Sequence, residues 1–333
     1  MKAIQAWMER LRWQAAAHPC HVVLTEGLEE RVLEGAALLQ RQGMARLTLL
    51  GELPGLANRA AALGLQHVAL RDPATDEDRF ELAGAYFEKR RDRGITPERA
   101  QEALEYPLWF GALMVDQGMA DGLLSGLTHS FAESLRAGGQ VLGTAPGSRA
   151  AVALNLVLHP DPSLGEEGAM LFADTGAVAD PDPAQLATIA MEAAQACRKL
   201  LQAEPRIALL SASHRGSLDH PSADKVRQAV ALLRSQAPEL KVDGEVHLDA
   251  ALRRKSGDGS TAWAPAAAGA NVLVFPNLDA ADVAWRAAET FGGARVFGSL
   301  LAGLAHPLLH LPEGCTAQHL ADHVVLAALM GAP

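Results

Sequence analysis

Within its first 71 residues the chain alternates short apolar runs with helical periods, and this alternation restricts the fold more than any other feature. HVVLT, from His21, reads as a strand. EERVLEGAALLQRQG then carries helical spacing and stops at Gly43, as a helix C-terminus should. RLTLLG, from Arg46, is a second strand, a short helix follows, and HVAL, from His67, is a third. A β-α-β-α-β opening predicts a parallel sheet with crossover helices. Farther on, FELAGAYFEKRRDRG is helical, and Thr96 and Pro97 predict a new helix with Thr96 as N-cap and Pro97 at its first position. DGLLSG, from Asp121, reads as a buried strand running into a glycine-bounded loop, and AVALNLVLH and AMLFAD as further strands.

The second half repeats the pattern: RIALLS, a loop SASHRGS, the helix ADKVRQAVALLRSQ, then strands VDGEVHLD and NVLVFPN separated by a loop-like break, SGDGSTAWAPAAAGA. TAQHLADHVVLAALM reads as a last helix opened by Thr316. A length of 333 residues fits two such α/β halves, with a boundary near 146–150 and the cleft between them as the default site.

Composition excludes several classes. A net charge of -10 with no long basic run disfavours a nucleic-acid-binding face, and two tyrosines offer little for base stacking. No apolar run reaches the roughly 18 residues needed to span a bilayer. MKAIQAWMERLRWQ reads as an amphipathic helix, not a signal peptide, so the expected location is cytoplasmic. Cys20, Cys197 and Cys315 form neither a disulfide framework nor a zinc motif. His319 and His323 have metal-ligand spacing on a helix, but no clear third ligand accompanies them beyond Asp322, so no metal is expected.

In parallel α/β sheets ligands bind at the carboxyl ends of strands. Four loops leave predicted strands there: Ser125-Gly126-Leu127-Thr128-His129-Ser130 with Arg136 beyond it, Ser211 to Ser217 with Ser213 and Arg215, Phe275-Pro276-Asn277, and Asp174-Thr175-Gly176. Ser, Thr and Gly let N–H and hydroxyl groups approach phosphate oxygens, and Arg adds a bidentate cation. Together they predict a small anionic ligand between Arg136 and the loops 125–130 and 211–217. Neither GxGxxG after the first strand nor GxxxxGK[ST] occurs, so a nucleotide cofactor held in either standard way is not expected.

The same segments resemble the phosphate acetyltransferase (phosphotransacetylase) family, collinearly from about residue 20 onward. LTEGLEERVLEGAA looks like its "PEG-x-[DE]-ERVL-x-AA", and YPLWFGALMVDQGMADGLLSGLTHS resembles its "FG-x-x-[ML]-V-x-x-G-x-ADG-x-[VL]-SG-x-x-H" block. PRIALLSASHRGS, VDGEVHLDAAL and ANVLVFPNLD resemble further family blocks. The resemblance implies a homodimer of two doubly wound α/β domains, three-layer with mostly parallel sheets, the first formed by 1–147 plus 300–333 and the second by 148–299. It implies acyl transfer between phosphate and coenzyme A by direct thiol attack, with no metal, no cofactor and no covalent intermediate. Arg136 and Arg90 match family arginines near the phosphate, and Ser125, His129, Ser213, Arg215 and Asn277 lie in matching substrate loops.

The C-terminal motif departs from the family. Its "LSRG" reads Leu311-Pro312-Glu313-Gly314, so a hydroxyl and a cation are missing, and His319 aligns with the family's aspartate base. With no Lys or Arg after Arg295, the sequence offers no neighbour to replace that cation. A carboxylate in a partly dry site would cost several kcal/mol. The expectations are therefore a short-chain acyltransferase of weak activity with His319 as base, or an impaired member that binds acyl-CoA or acyl phosphate as a sensor or assembly module. A metal- and nucleotide-dependent dehydrogenase of related architecture is a third reading, for which the acidic ligands are not recognisable.

Overall fold

A computed structural model describes residues 2–252 and 267–331. The elements from the N-terminus are α1 (Lys2–Ala16), β1 (Cys20–Leu24), α2 (Glu30–Gln42), β2 (Ala45–Leu50), α3 (Leu53–Ala62), β3 (Val68–Arg71), α4 (Arg79–Arg90), α5 (Pro97–Ala103), α6 (Pro107–Asp116), β4 (Gly122–Ser125) and α7 (Phe131–Ala137). A π-helical turn, Gly138–Leu142, follows. Next come β5 (Val152–Leu158), β6 (Ala169–Ala173), α8 (Pro183–Leu201), β7 (Arg206–Leu210), α9 (Pro221–Gln236), β8 (Lys241–Val246), α10 (Leu248–Leu252), β9 (Val272–Val274), α11 (Leu278–Thr290), β10 (Arg295–Ala302), β11 (Leu308–His310) and α12 (Ala317–Gly331). Among the described residues no helix is long and apolar enough to cross a membrane.

The chain divides into two compact units. One comprises Leu11–Ala151 and Leu304–Pro333, the other Met1–Arg10 and Val152–Gly303. In the first unit the strand order is β3-β2-β1-β4-β11 and every pairing is parallel. The chain builds leftward from β1 through β2 to β3, then resumes on the other side with β4, so β1 and β4 flank a topological switch point. Val22, Val23, Leu24, Leu123 and Leu124 are buried along the two central strands. On one face α2 packs against α12 so closely that a Cβ on Gly35 would lie 2.7 Å from Leu320 Cδ2. The expected stop of α2 is present: Gly43 is left-handed at φ 63° and its N–H bonds the last turn. Thr96 likewise caps α5, its hydroxyl accepting from the Arg99 N–H at 3.3 Å.

The second unit has the order β10-β5-β6-β9-β7-β8. β5 runs antiparallel to both β10 and β6, while β6, β9, β7 and β8 are mutually parallel, giving a mixed sheet. Phe172 and Phe275, 5.2 Å apart, anchor its core with Val157, Leu210, Leu273 and Val296. The run VDGEVHLD does not stay extended. β8 ends at Val246, and the Ala251 N–H bonds the His247 carbonyl to open α10, with Asp249 in its first turn. Most of the expected loop-like break at 256–270 lies outside the described residues.

Candidate functional site

Three parallel strand ends in the first unit gather two of the segments that the sequence singles out, the loop 125–130 and the C-terminal motif. Leu24 pairs with Leu124, and His310 pairs with Ser125. The Leu311 N–H donates to the Ser125 carbonyl at 2.7 Å, which carries the register past the end of β11. Thr25 to Gly27, the loop 125–130 and the turn 311–316 therefore share one rim. Gly126 is required where the last two meet: its φ is 132°, and a Cβ there would lie 2.5 Å from the Leu311 carbonyl.

The loop 125–130 has the expected anion-binding form, but its anion is Glu26. One carboxylate oxygen of Glu26 accepts from the N–H groups of Gly126 (3.1 Å), Thr128 (2.6 Å) and His129 (3.1 Å), and from the Thr128 hydroxyl (2.9 Å). The other accepts from Gly126 (3.1 Å) and Leu127 (2.9 Å). His129 Nδ1 completes the cage at 2.9 Å. Burial pushes the Glu26 carboxyl up, but His129 and the loop N–H groups outweigh it and hold the group down at about 2. An ionised carboxylate only accepts, so Nδ1 of His129 carries a proton. Ser125, fully buried, lies 3.2 Å from that same nitrogen. Behind them His310 bonds the Ser134 hydroxyl at 3.0 Å and stacks edge-on against Phe131, and burial lowers its imidazole to about 4.

A cavity of about 640 Å³ opens over the β1–β4 switch point. Glu26, Glu29, Glu30, Arg59, Thr128 and His129 contribute its polar lining. Three carboxylates to one guanidinium suit an uncharged substrate arm better than a phosphate.

The C-terminal motif forms a turn, closed by the Cys315 N–H on the Pro312 carbonyl at 2.8 Å. Thr316 opens α12 as expected, its hydroxyl accepting from the His319 N–H at 3.2 Å. His319 sits half-buried in the first turn of α12, and its carbonyl accepts from His323 at 2.7 Å. Pro312 and Glu313 are exposed, so the reversed charge acts through solvent and not in a dry site. A cation does reach this turn from far away in sequence. Arg31 of α2 donates to the carbonyls of Glu313 (2.6 Å) and Cys315 (3.4 Å) and pairs with Glu29 at 3.4 Å. Arg136 is exposed near the end of α7, which Ser130 and Glu133 open with a capping box, and Arg90 is half-buried at the end of α4.

In the second unit the other three loops are likewise satisfied by the protein's own side chains. Ser213 donates to Glu245 at 2.8 Å, the Gly216 N–H donates to the same oxygen at 2.6 Å, and Arg227 reaches it at 3.1 Å. Against the upward push of burial these contacts hold the Glu245 carboxyl below its ordinary value. Arg215 is exposed in the left-handed region at φ 51°. Asn277 is the N-cap of α11, accepting from the Ala280 N–H at 2.9 Å. Asp174 accepts from the N–H groups of Ala153, Gly176, Ala177 and Val178. The loops read from sequence as phosphate cradles are thus closed by Glu26, Glu245, Asn277 and Asp174, because buried N–H groups must find acceptors.

Sequence reasoning missed Glu26 and Arg31. Both lie in LTEGLEERVL, yet nothing in that segment marks their partners about 100 and 280 residues away. Among the described residues no group of three His, Cys, Asp or Glu side chains is placed to hold a metal ion. Asp322 is instead paired with Arg12 at 2.7 Å.

Comparison with known proteins finds matches along nearly the whole chain. The family model described as phosphate acetyl/butaryl transferase matches residues 6–328. A phosphate acetyltransferase of Paracoccus denitrificans is 38% identical over 97% of this chain and 98% of its own. One from Thermoanaerobacterium thermosaccharolyticum is 34% identical over 99% of each. A phosphotransacetylase structure from Streptococcus pyogenes superposes with a TM-score of 0.89 at 29% identity, covering 98% of each chain.

Proposed function

The chain belongs to the phosphate acetyl/butaryl transferase family, and from that premise we propose that it transfers an acetyl or other short acyl group between phosphate and coenzyme A. The observation that carries this reading is the shared rim of the first unit, where the loop 125–130, the turn 311–316 and the helix bearing His319 meet at the ends of adjacent strands. Direct transfer needs both substrates held together, a proton acceptor for the thiol and cations for the phosphate. His319 is the acceptor in this reading. Arg136 and Arg90 are the cations for the phosphate, which falls to the Arg136 side of the loop. The cavity takes the uncharged arm of coenzyme A with its thiol end at His129, on the rim where the phosphate meets the loop. The protein is further proposed to be cytoplasmic and a homodimer, as fractionation and light scattering would test.

A second reading, an impaired member that binds acyl-CoA or acyl phosphate, is favoured by Pro312 and Glu313 standing where the family has Ser and Arg. Acyl-CoA formation from acetyl phosphate, measured alongside coenzyme A binding, separates the two. Pro312→Ser combined with Glu313→Arg is expected to raise the rate by about tenfold, the worth of one recovered weak contact. Binding without turnover in the wild type and in this variant would support the sensor instead.

A further inference from the structure

Four backbone N–H groups and a hydroxyl of the loop 126–129 point at Glu26. They have no role left for a substrate phosphate. The ring of His129 differs. Nδ1 is fixed on Glu26, the side chain remains 17% exposed, and it lines the cavity at the switch point. Nε2 is therefore the atom through which this loop can act on a ligand. A buried carboxylate that fixes one imidazole nitrogen and leaves the other facing substrate is the arrangement by which catalytic histidines are oriented and their charged form stabilised.

We propose that His129, positioned by Glu26, is the general acid that protonates the leaving phosphate during acyl transfer. The inference rests on the acyltransferase reading above. The sulfur–carbon bond forms as the bond between the acyl carbon and phosphate oxygen breaks. The thiol proton passes to His319, and the proton on His129 Nε2 passes to the departing oxygen, which leaves as hydrogen phosphate. Exchange with solvent returns each histidine to its starting state, so one proton moves in net from thiol to phosphate. In reverse, His129 accepts the proton from hydrogen phosphate as it attacks acyl-CoA.

A leaving-group test separates this role from a structural one. Acetyl phosphate expels an oxygen that needs a proton, whereas acetyl methyl phosphate expels a monoester dianion that needs none. His129→Asn keeps an N–H donor near the Nδ1 position and removes Nε2. With coenzyme A in excess, His129→Asn is expected to lower kcat about 100-fold with acetyl phosphate and less than about threefold with acetyl methyl phosphate. Equal losses on both substrates would overturn the role. If His129→Asn does not fold, the wild-type enzyme carries the test. A solvent isotope effect on kcat larger with acetyl phosphate than with its methyl ester supports protonation of the leaving group, and equal effects overturn it. A wild-type protein that makes acyl-CoA from neither substrate defeats the underlying reading, and this assignment with it. Activity with unequal losses sustains both.

Discussion

Glu26 and Asp174 are both buried carboxylates held by four backbone N–H groups, yet their protonation equilibria move in opposite directions. Burial is the largest influence on each and pushes each upward. At Asp174 burial wins, and the carboxyl ends above its ordinary value despite the N–H groups of Ala177, Gly176, Ala153 and Val178. At Glu26 the contact from His129 tips the balance, and the carboxyl falls to about 2. A peptide cage lessens the penalty of a buried charge, and a partner able to share a proton reverses it. Asp174 organises a turn within four residues of itself and ties it to Ala153 of β5, 21 residues earlier. Glu26 ties β1 to a loop about 100 residues later, at the site of the proposed chemistry.

The largest expected effect comes from neutralising Glu26. Its depressed carboxyl contributes stability that is present above the unfolded-state value near 4.5 and is lost as pH falls toward about 2. A drop of that size corresponds to about 3 kcal/mol. Glu26→Gln is therefore expected to lower unfolding free energy at pH 7 by about 3 kcal/mol in urea titrations, with the difference shrinking below pH 4.5. A difference independent of pH would show that packing, not charge, sets the value.

Removing His129 should make Glu26 resemble Asp174. His129→Ala is expected to raise the Glu26 carboxyl and lower neutral-pH stability by about 2 kcal/mol, the usual worth of a charge-assisted hydrogen bond. Carbon-detected NMR titration of the labelled carboxyl reads the first and urea unfolding the second. If Glu26 stays near 2, the backbone cage alone suffices and the contrast with Asp174 needs another cause.

The smallest effect belongs to Asp174→Asn. A raised carboxyl favours the folded state fully only below its unfolded value near 3.9, and that contribution fades as pH rises through the higher folded value. Replacing the charge at pH 7 removes a desolvated anion and loses the Val178 N–H contact, so the two changes oppose. The net shift is expected to stay within about 1 kcal/mol. A loss as large as that of Glu26→Gln would erase the comparison.

The primary structure determined the local elements of this protein and left their long-range pairings undetermined. The alternating runs of the first 71 residues became β1 to β3 with their helices, and Gly43, Thr96 and Thr316 sit at the ends of helices as expected. These features depend on backbone preferences and side-chain spacing within a few residues. The apolar helix α6 and the strands β10 and β11 are less legible, because elements buried on several sides lack a clean periodicity. The loop at Asp174 shows its turn residues in sequence, although its acceptor proved to be its own carboxylate. Only the tertiary structure decided that Glu26 fills the loop 126–129, that Arg31 reaches the turn at Glu313, and that Nδ1 of His129 is bound to Glu26. Strand register brings those residues together across 100 to 280 positions, and register is a property of the assembled sheet, not of any segment within it.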